Sequence, residues 1–460
     1  MADAPTTLVI LGASGDLTRR LLLPGLGTLL SAEPSRRVRV VGADRVELSQ
    51  EEWQGKVRDA FADADLDADV AAPVVEAARY LRTDVLQEDA VRALLAELEG
   101  PLVLYFALPP SVTVQACALL ERIGVPRGTR LALEKPFGND LESARELNRQ
   151  LLRVVPENDV FRIDHFLGVN TILNLVGLRF ANRLLQPIWT REHIEKVEIV
   201  YDETLALEGR AGYYDGAGAL LDMIQSHLLE ILAFFAMEAP ATMHADEVRS
   251  LKAQVLRAVH PWGHDPARAS RRARYTAGSV EGRQVPDYAA EEGVDPARHT
   301  ETLAELVVQL DNGRWAGVPF VLRSGKALGS PRKEVVVTFR PPAHVPTGLE
   351  DTVEPDRLVL ELKPGAVTLD LSMNAEGNPF ELEQKELHAE LGKPRMLPYG
   401  EVLGAILDGD PLLTIRGDEA EELWRVVEPV LQAWRAHKVP LQEYAAGSNG
   451  PEGWGSVPRR

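Results

Sequence analysis

One cysteine, Cys117, stands in a chain of 460 residues. That excludes an intramolecular disulfide and a cysteine-rich zinc site, and it suits a reducing compartment. No uninterrupted apolar run approaches the ~18 residues of a membrane span, and the start MADAPTTLVILG lacks the basic residues and cleavage pattern of a secretory leader. The expectation is a cytoplasmic protein without membrane contact. Positive charge is also scarce: 50 Lys and Arg against 69 Asp and Glu leave a net charge of −19. A nucleic acid or an anionic membrane is therefore not an expected partner, because either needs a basic face. An anionic small molecule would need only a local cluster of cations. Internal repeats and low-complexity blocks are absent as well.

What is present divides in two. Short apolar strands at 6–12, 38–45 (VRVVGADR), 102–108 (LVLYFAL) and 131–138 (LALEKPFG) alternate with helical stretches. Near-continuous hydrophobic strands of that kind predict a parallel sheet covered on both faces, a Rossmann-type doubly wound α/β domain over 1–155. Beyond it, helical regions at about 169–185 and 216–238 precede strand-like runs at 304–311, 334–340, 357–362 and 366–372. Strands without intervening helices predict a larger α+β domain with a mostly antiparallel sheet, over 156–445. The Gly-, Pro- and Ser-rich stretch 446–460 is expected to be a mobile tail.

VILGASGDLTRR follows the first strand with Gly12, Ser14 and Gly15, and a helix is expected near Leu17. Glycines there let the backbone approach a pyrophosphate, which the helix N-terminus binds through free amides. Asp44 and Arg45 end the second strand. Asp44 suits the ribose of NAD and Arg45 the 2′-phosphate of NADP, so both cofactors stay open. Arg19 and Arg20 add positive charge near the same turn, or form a solvated face. Lys135 closes the fourth strand, where such sheets face their ligand, and Pro136 is a candidate for a cis bond. Asp222 and His227 lie on an apolar helix, and Asp164 and His165 stand together in RIDHFLGV.

The segments GASGDL, EKPFG, RIDHFLG, LRFANR, EGRAGYYD, QSHLLE and VPFVLRSGKAL resemble the signature segments of glucose-6-phosphate dehydrogenases, in that family's order, from about residue 8 to residue 430. The resemblance implies hydride transfer from C1 of a glucose-type pyranose to NADP or NAD, giving a lactone. It implies His227 as general base and Asp164 as the carboxylate that orients it. Lys135, Glu203, Asp222 and Lys326 match positions that bind the sugar, and His165 matches one that contacts the 6-phosphate. The turn residues Gly12, Ser14, Gly15, Asp16 and Leu17, with Arg45 and Lys135, match the cofactor side. A homodimer or homotetramer is implied too. No metal is expected. A histidine base makes sense for this chemistry, because its pKa near ~6.5 lets it take a hydroxyl proton near neutrality.

Two departures stand out. Where the family usually continues Tyr-Leu-Gly-Lys after the phosphate histidine, this chain has Phe166-Leu167-Gly168-Val169. Two charge-assisted bonds of roughly 1.5–3 kcal/mol each would be missing, a loss on the order of 3–5 kcal/mol. Lys363 stands where the family commonly has a neutral glutamine near the substrate. It is either a relocated phosphate ligand or a solvent-facing lysine at a strand end. Free glucose, or a glucose altered at C6, is therefore the alternative substrate. A non-catalytic regulatory member is the rival from another class, and intact Lys135, Asp164 and His227 argue against it.

Overall fold

The computed structural model describes residues 5–209, 211–349, 354–378 and 380–458. Arg210, within the EGRAGYYD segment, and the last two residues of the tail lie outside the described residues. Two compact units emerge. The first combines Met1–Asn170, Pro240–Ser250 and Pro394–Glu421, and the second combines Thr171–Ala239, Leu251–Lys393 and Glu422–Arg460. A contiguous first domain ending at 155 was expected, and the structure differs for two reasons. A sixth strand follows residue 155, and a distant helix returns to complete the core.

The first unit holds β1 (Thr6–Leu11), β2 (Val38–Asp44), β3 (Arg79–Arg82), β4 (Leu102–Phe106), β5 (Arg130–Glu134) and β6 (Val160–Ile163). They form one parallel sheet in the order β3-β2-β1-β4-β5-β6, the doubly wound order that places ligands at the carboxyl edge. All of β4 and all of β1 after Thr6 are buried, which is why both read as continuous apolar runs. The helix Pro398–Asp408 lends Tyr399, Val402, Leu403, Ile406 and Leu407 to this core. A Cβ on Gly25 would fall 2.6 Å from that of Tyr399, so glycine permits the close approach. Cys117 is fully buried in the helix Pro110–Ile123, and burial pushes its thiol up to about 12. It is a small apolar side chain in function, not a nucleophile.

The second unit holds β7 (Ile194–Asp202), β8 (Val259–Pro261), β9 (Ser270–Thr276), β10 (Gly278–Val280), β11 (Arg283–Val285), β12 (Leu303–Leu310), β13 (Phe320–Gly325), β14 (Lys333–Phe339), β15 (Arg357–Leu362), β16 (Gly365–Asn374), β17 (Leu382–Glu390) and β18 (Leu441–Ala445). Ten of these form one sheet, in the order β17-β16-β15-β14-β7-β13-β12-β9-β18 with β8 beside β12. It is mostly antiparallel, as expected. Two neighbouring pairs, β7 with β13 and β9 with β18, are parallel.

Helical segments Ala211–Ala219, Leu220–Leu228 and Leu229–Ala236 run on from one another, with a kink at Gly218, whose φ is +67°. This stretch corrects the reading that nothing apolar is long enough to span a membrane. By length and composition it qualifies, although 89% of its most apolar window is buried inside the protein, as in the core helix of a globular fold. Interspersed charges hid it from a search for unbroken runs.

The tail also departs from expectation, because it is tied down through its described part. Trp454 Nε1 donates to Gln442 Oε1 at 2.9 Å, Gly455 N to Glu305 Oε2 at 2.7 Å, and Arg271 binds the carbonyls of Gly453 and Ser456. Its glycines serve turns with positive φ rather than freedom.

Candidate functional site

Unit 1 gathers its candidates on the carboxyl edge of its sheet. Gly12 follows β1 with φ +90°, and a Cβ there would lie 2.2 Å from the carbonyl oxygen of Ala107. Only glycine fits a chain passing that closely between β1 and β4. Gly15 N donates to Gly12 O at 3.0 Å, which closes the turn, and Asp16 and Leu17 open the helix that follows. The first turns of that helix, Thr18–Leu22, are bonded i→i+5 before the α-helical Leu23–Ala32. The turn has the form of a dinucleotide turn: it leads from a strand end into a helix N-terminus with no room for a side chain at Gly12, and the amides of Gly12, Ala13, Ser14 and Gly15 are bonded within the protein.

The cation set is smaller than the sequence implied. Arg20 is paired with Asp16 at 3.2 Å, while Arg19 and Arg45 make no side-chain bond among the described residues. Asp44 does not stand open to a ribose. Its Oδ2 accepts from Ser14 N at 3.1 Å and Ser14 Oγ at 2.7 Å, and Oδ1 faces Val46 N at 3.4 Å. Two residues assigned to the cofactor thus hold each other.

Further along the same edge, Lys135 follows β5 with a cis bond to Pro136, and Asp164 follows β6. Asp164 is 1% exposed and caps the short turn His165–Gly168, its Oδ1 accepting from Phe166 N at 3.0 Å. Tyr399 stacks on His165 at 5.5 Å between ring centroids, and Phe166 meets the same imidazole edge-on at 5.1 Å. A Cβ on Gly168 would lie 2.5 Å from the carbonyl oxygen of Pro398, so this turn and the helix Pro398–Asp408 touch backbone to backbone. Glu134 lies half-buried beside them. Tyr105 and Tyr399 both donate to its Oε1, Tyr399 at 3.2 Å. Burial raises the Glu134 carboxyl to about 7, against the pull of the two phenols and Lys135. Glu134 and Tyr399 were missed from sequence. Glu134 stands inside the quoted EKPFG, but nothing local marks Tyr399.

Unit 2 brings together Glu203 and Lys326. Asp202 and Gly325, the last residues of the parallel strands β7 and β13, are partners in register. The next residue of each strand carries the charge, and Lys326 Nζ meets Glu203 Oε2 at 2.8 Å. The ammonium also lies over the Tyr214 ring, 5.2 Å from its centroid. Asp202 itself is turned inward and raised to about 6 by burial, although Arg323 at 3.1 Å pulls it back.

Asp222 and His227 share the segment Leu220–Leu228, which is bonded i→i+5. In an α-helix, residues five apart point ~140° away from each other. In i→i+5 bonding they lie one above the other, a local widening common at functional sites. His227 is 2% exposed. Tyr213 Oη lies 3.4 Å from Asp222 Oδ1, and burial together with that carboxylate holds the phenol well above its usual range. Three residues on, Glu230 forms a fully buried ion pair with Lys252 at 2.7 Å. Lys363 sits apart, exposed at the turn between β15 and β16 with a cis bond to Pro364, and it makes no side-chain bond among the described residues.

The comparisons with known proteins cover nearly the whole chain. Residues 9–174 match the family described as glucose-6-phosphate dehydrogenase, NAD binding domain, and residues 176–458 match the C-terminal domain of the same enzyme. Among curated relatives, the glucose-6-phosphate 1-dehydrogenase of Gluconobacter oxydans is 41% identical, over 97% of this chain and 95% of that protein. That of Treponema pallidum is 37% identical, over 99% and 95%. A solved glucose-6-phosphate 1-dehydrogenase from Mycobacterium avium superposes with a TM-score of 0.83 at 32% identity, covering 98% of this chain and 96% of that one. A glucose-6-phosphate dehydrogenase in complex with its substrate glucose-6-phosphate gives 0.86 at 29% identity, with the same coverage.

Proposed function

Since the chain belongs to the glucose-6-phosphate dehydrogenase family, we propose that it oxidises glucose 6-phosphate at C1 to the lactone, with NADP or NAD as oxidant. Gly12, Ser14, Gly15, Asp16, Leu17 and Arg45 are the residues that would hold the dinucleotide. When bound, the cofactor supplies an acceptor for the hydride. His227 takes the proton of the C1 hydroxyl, so that the electron pair left on oxygen becomes the carbonyl bond as the C1–H pair departs. Asp164 orients that imidazole and offsets the charge it gains. Lys135, Glu203, Asp222 and Lys326 hold the sugar hydroxyls and ring, and His165 meets the 6-phosphate. The stacked Tyr399 keeps the His165 ring from turning. One observation supports this reading above others: Asp222 and His227 lie on a segment bonded i→i+5, which brings residues five apart onto one face.

A second reading has its own support. Phe166 is buried at 8% exposure and Val169 is apolar, where a hydroxyl and an ammonium bind phosphate in the family. A weakened phosphate grip favours free glucose or a C6-altered glucose. We further propose a cytoplasmic homodimer or homotetramer. The edge strand β17 is exposed along most of its length, and open edges of that kind invite pairing.

Reduction of NADP and of NAD, followed at 340 nm with glucose 6-phosphate and with glucose, tests the proposal. Glucose 6-phosphate should be the better substrate. Phe166→Tyr with Val169→Lys should raise kcat/KM for it and leave glucose nearly unchanged. A native preference that collapses in Lys363→Gln would show that Lys363 holds the phosphate. Absence of turnover with both sugars would overturn the reading.

A further inference from the structure

Unit 2 contains a cleft that the residues above do not use. A cavity of about 660 Å³, within the ~300–1,000 Å³ range of small-molecule sites, is lined by Arg272, Arg298, His299, Arg435 and His437 beside Trp434, with the carboxylates Asp215 and Glu301 on its inner wall. A smaller cavity of about 330 Å³ shares Arg272, His299 and His437 and adds Arg274. Arg298 meets Asp215 at 3.4 Å and Arg274 lies 4.0 Å from Glu443, which leaves Arg272 and Arg435 as the arginines of the cleft without an ion pair among the described residues. Two guanidinium groups without an ion pair on one concave wall offer an anion both charge and directed donors.

The cluster is built, not incidental. Arg272 is 7% exposed, and its guanidinium is fixed by the carbonyl oxygens of Trp434 and Val439. Arg435, by contrast, makes no hydrogen bond or ion pair among the described residues. His299 and His437 both adopt left-handed backbone at φ +54°. That conformation is uncommon for a residue with a side chain and recurs at functional sites. Their rings meet edge-on, 6.0 Å apart.

The inner wall of the cleft connects to the candidate base. Thr300 Oγ1 donates to Asp215 O at 2.7 Å, and Glu301 Oε1 accepts from Leu220 N at 3.0 Å. Residues 300 and 301 thus grip both sides of the Gly218 kink. A Cβ on Gly218 would fall 2.3 Å from Glu301 Oε1, so the kink is shaped around that carboxyl. Leu220 begins the segment that carries Asp222 and His227.

We propose that this cleft is a regulatory site for a phosphorylated small molecule of up to nucleotide size. Its occupancy reaches the His227 segment through Arg298, His299, Thr300 and Glu301. The binding claim is independent of the proposed reaction, and only the role of His227 rests on it.

The probe is ATP, titrated calorimetrically into the full chain. The Gly12→Ala variant, which disturbs the dinucleotide turn, controls for binding there. Arg435→Glu with His437→Glu places two carboxylates at exposed positions of the wall, and a thermal midpoint equal to that of the native chain shows that the pair still folds. ATP should bind the native chain and Gly12→Ala alike, and bind the double variant at least tenfold more weakly. Hydrogen exchange at the Leu220 amide should slow with ATP in the native chain only. Undetectable binding, equal affinity in the double variant, or a Leu220 exchange rate unmoved by bound ATP would each overturn the proposal. Neither readout needs turnover, so a failure here and a failure to oxidise glucose 6-phosphate are separate results.

Discussion

The two units present charge in the same way from sheets of different class. In unit 1, Gly12, Lys135 and Asp164 stand one residue beyond β1, β5 and β6, and Asp44 closes β2, all on the carboxyl edge of a wholly parallel sheet. In unit 2 most neighbours are antiparallel, yet Glu203 and Lys326 stand one residue beyond β7 and β13, a parallel pair. Parallel strands end at the same edge, so the residues that follow them are neighbours. An antiparallel partner would have sent Lys326 to the far end of β7. Strand direction, pair by pair, decides where polar groups converge. The units differ in what stands beside that edge. Unit 1 adds a tight glycine turn that opens a helix, and unit 2 adds a buried helical stretch in which five-residue spacing shares a face.

That contrast can be tested from its largest consequence downward. If the helical stretch supplies the base, His227→Asn should lower kcat by about 10²–10⁴-fold and leave the dissociation constant for NADP unchanged by fluorescence titration. Near-native kcat would remove unit 2 from the chemistry. If strand ends are what matter, Lys326→Met should lower kcat/KM by roughly 10–100-fold, a loss of ~1.4–2.8 kcal/mol. Lys196→Met, near the opposite end of β7, should change it less than twofold. Equal losses would break the strand-direction argument.

Glycine replacements probe each unit's own device. Gly12→Ala and Gly218→Ala both force a side chain into a positive-φ position against a close neighbour. Each should cost about 1–3 kcal/mol in urea unfolding. Gly12→Ala should also raise KM for the cofactor, which Gly218→Ala should not.

The smallest effect is one of pH. Glu134 is raised from 4.5 to about 7 in the folded protein. The folded state therefore binds its proton more tightly than the unfolded chain. The stabilisation is complete below about 4.5 and is lost as pH rises through about 7. Glu134→Gln should flatten the pH dependence of urea unfolding across that window, and an unchanged slope would show that the carboxyl is not the source.

The sequence shows the sheets where burial is simple. β1, β2, β4 and β5 are legible because parallel strands covered on both faces need unbroken apolar runs. β6 escaped, since it carries Arg162, a charge that is fully buried and tolerated because Glu157 meets it at 2.7 Å. β7 reads IEKVEIVYD, and its charges likewise mask a strand that is half buried. Single residues of the site were legible, but their companions were not. The tie between Ser14 and Asp44 spans 30 residues, and Tyr399 reaches Glu134 from 265 residues away. Periodicity also misleads at Asp222 and His227, because a search at 3.6 residues per turn puts residues five apart on different faces.

The composition of unit 1 has a consequence for biosynthesis. Its core is closed by Tyr399, Val402, Leu403, Ile406 and Leu407, which follow Asn170 by more than 200 residues. At ~5–20 residues per second, the ribosome delivers that helix roughly 10–50 s after the last of the six strands. The half of the protein that is begun first is therefore completed only after most of the second half has been made. The face of the helix Leu23–Ala32 against which Tyr399 packs must wait in the cell, uncovered or chaperone-held, until residues 394–421 arrive.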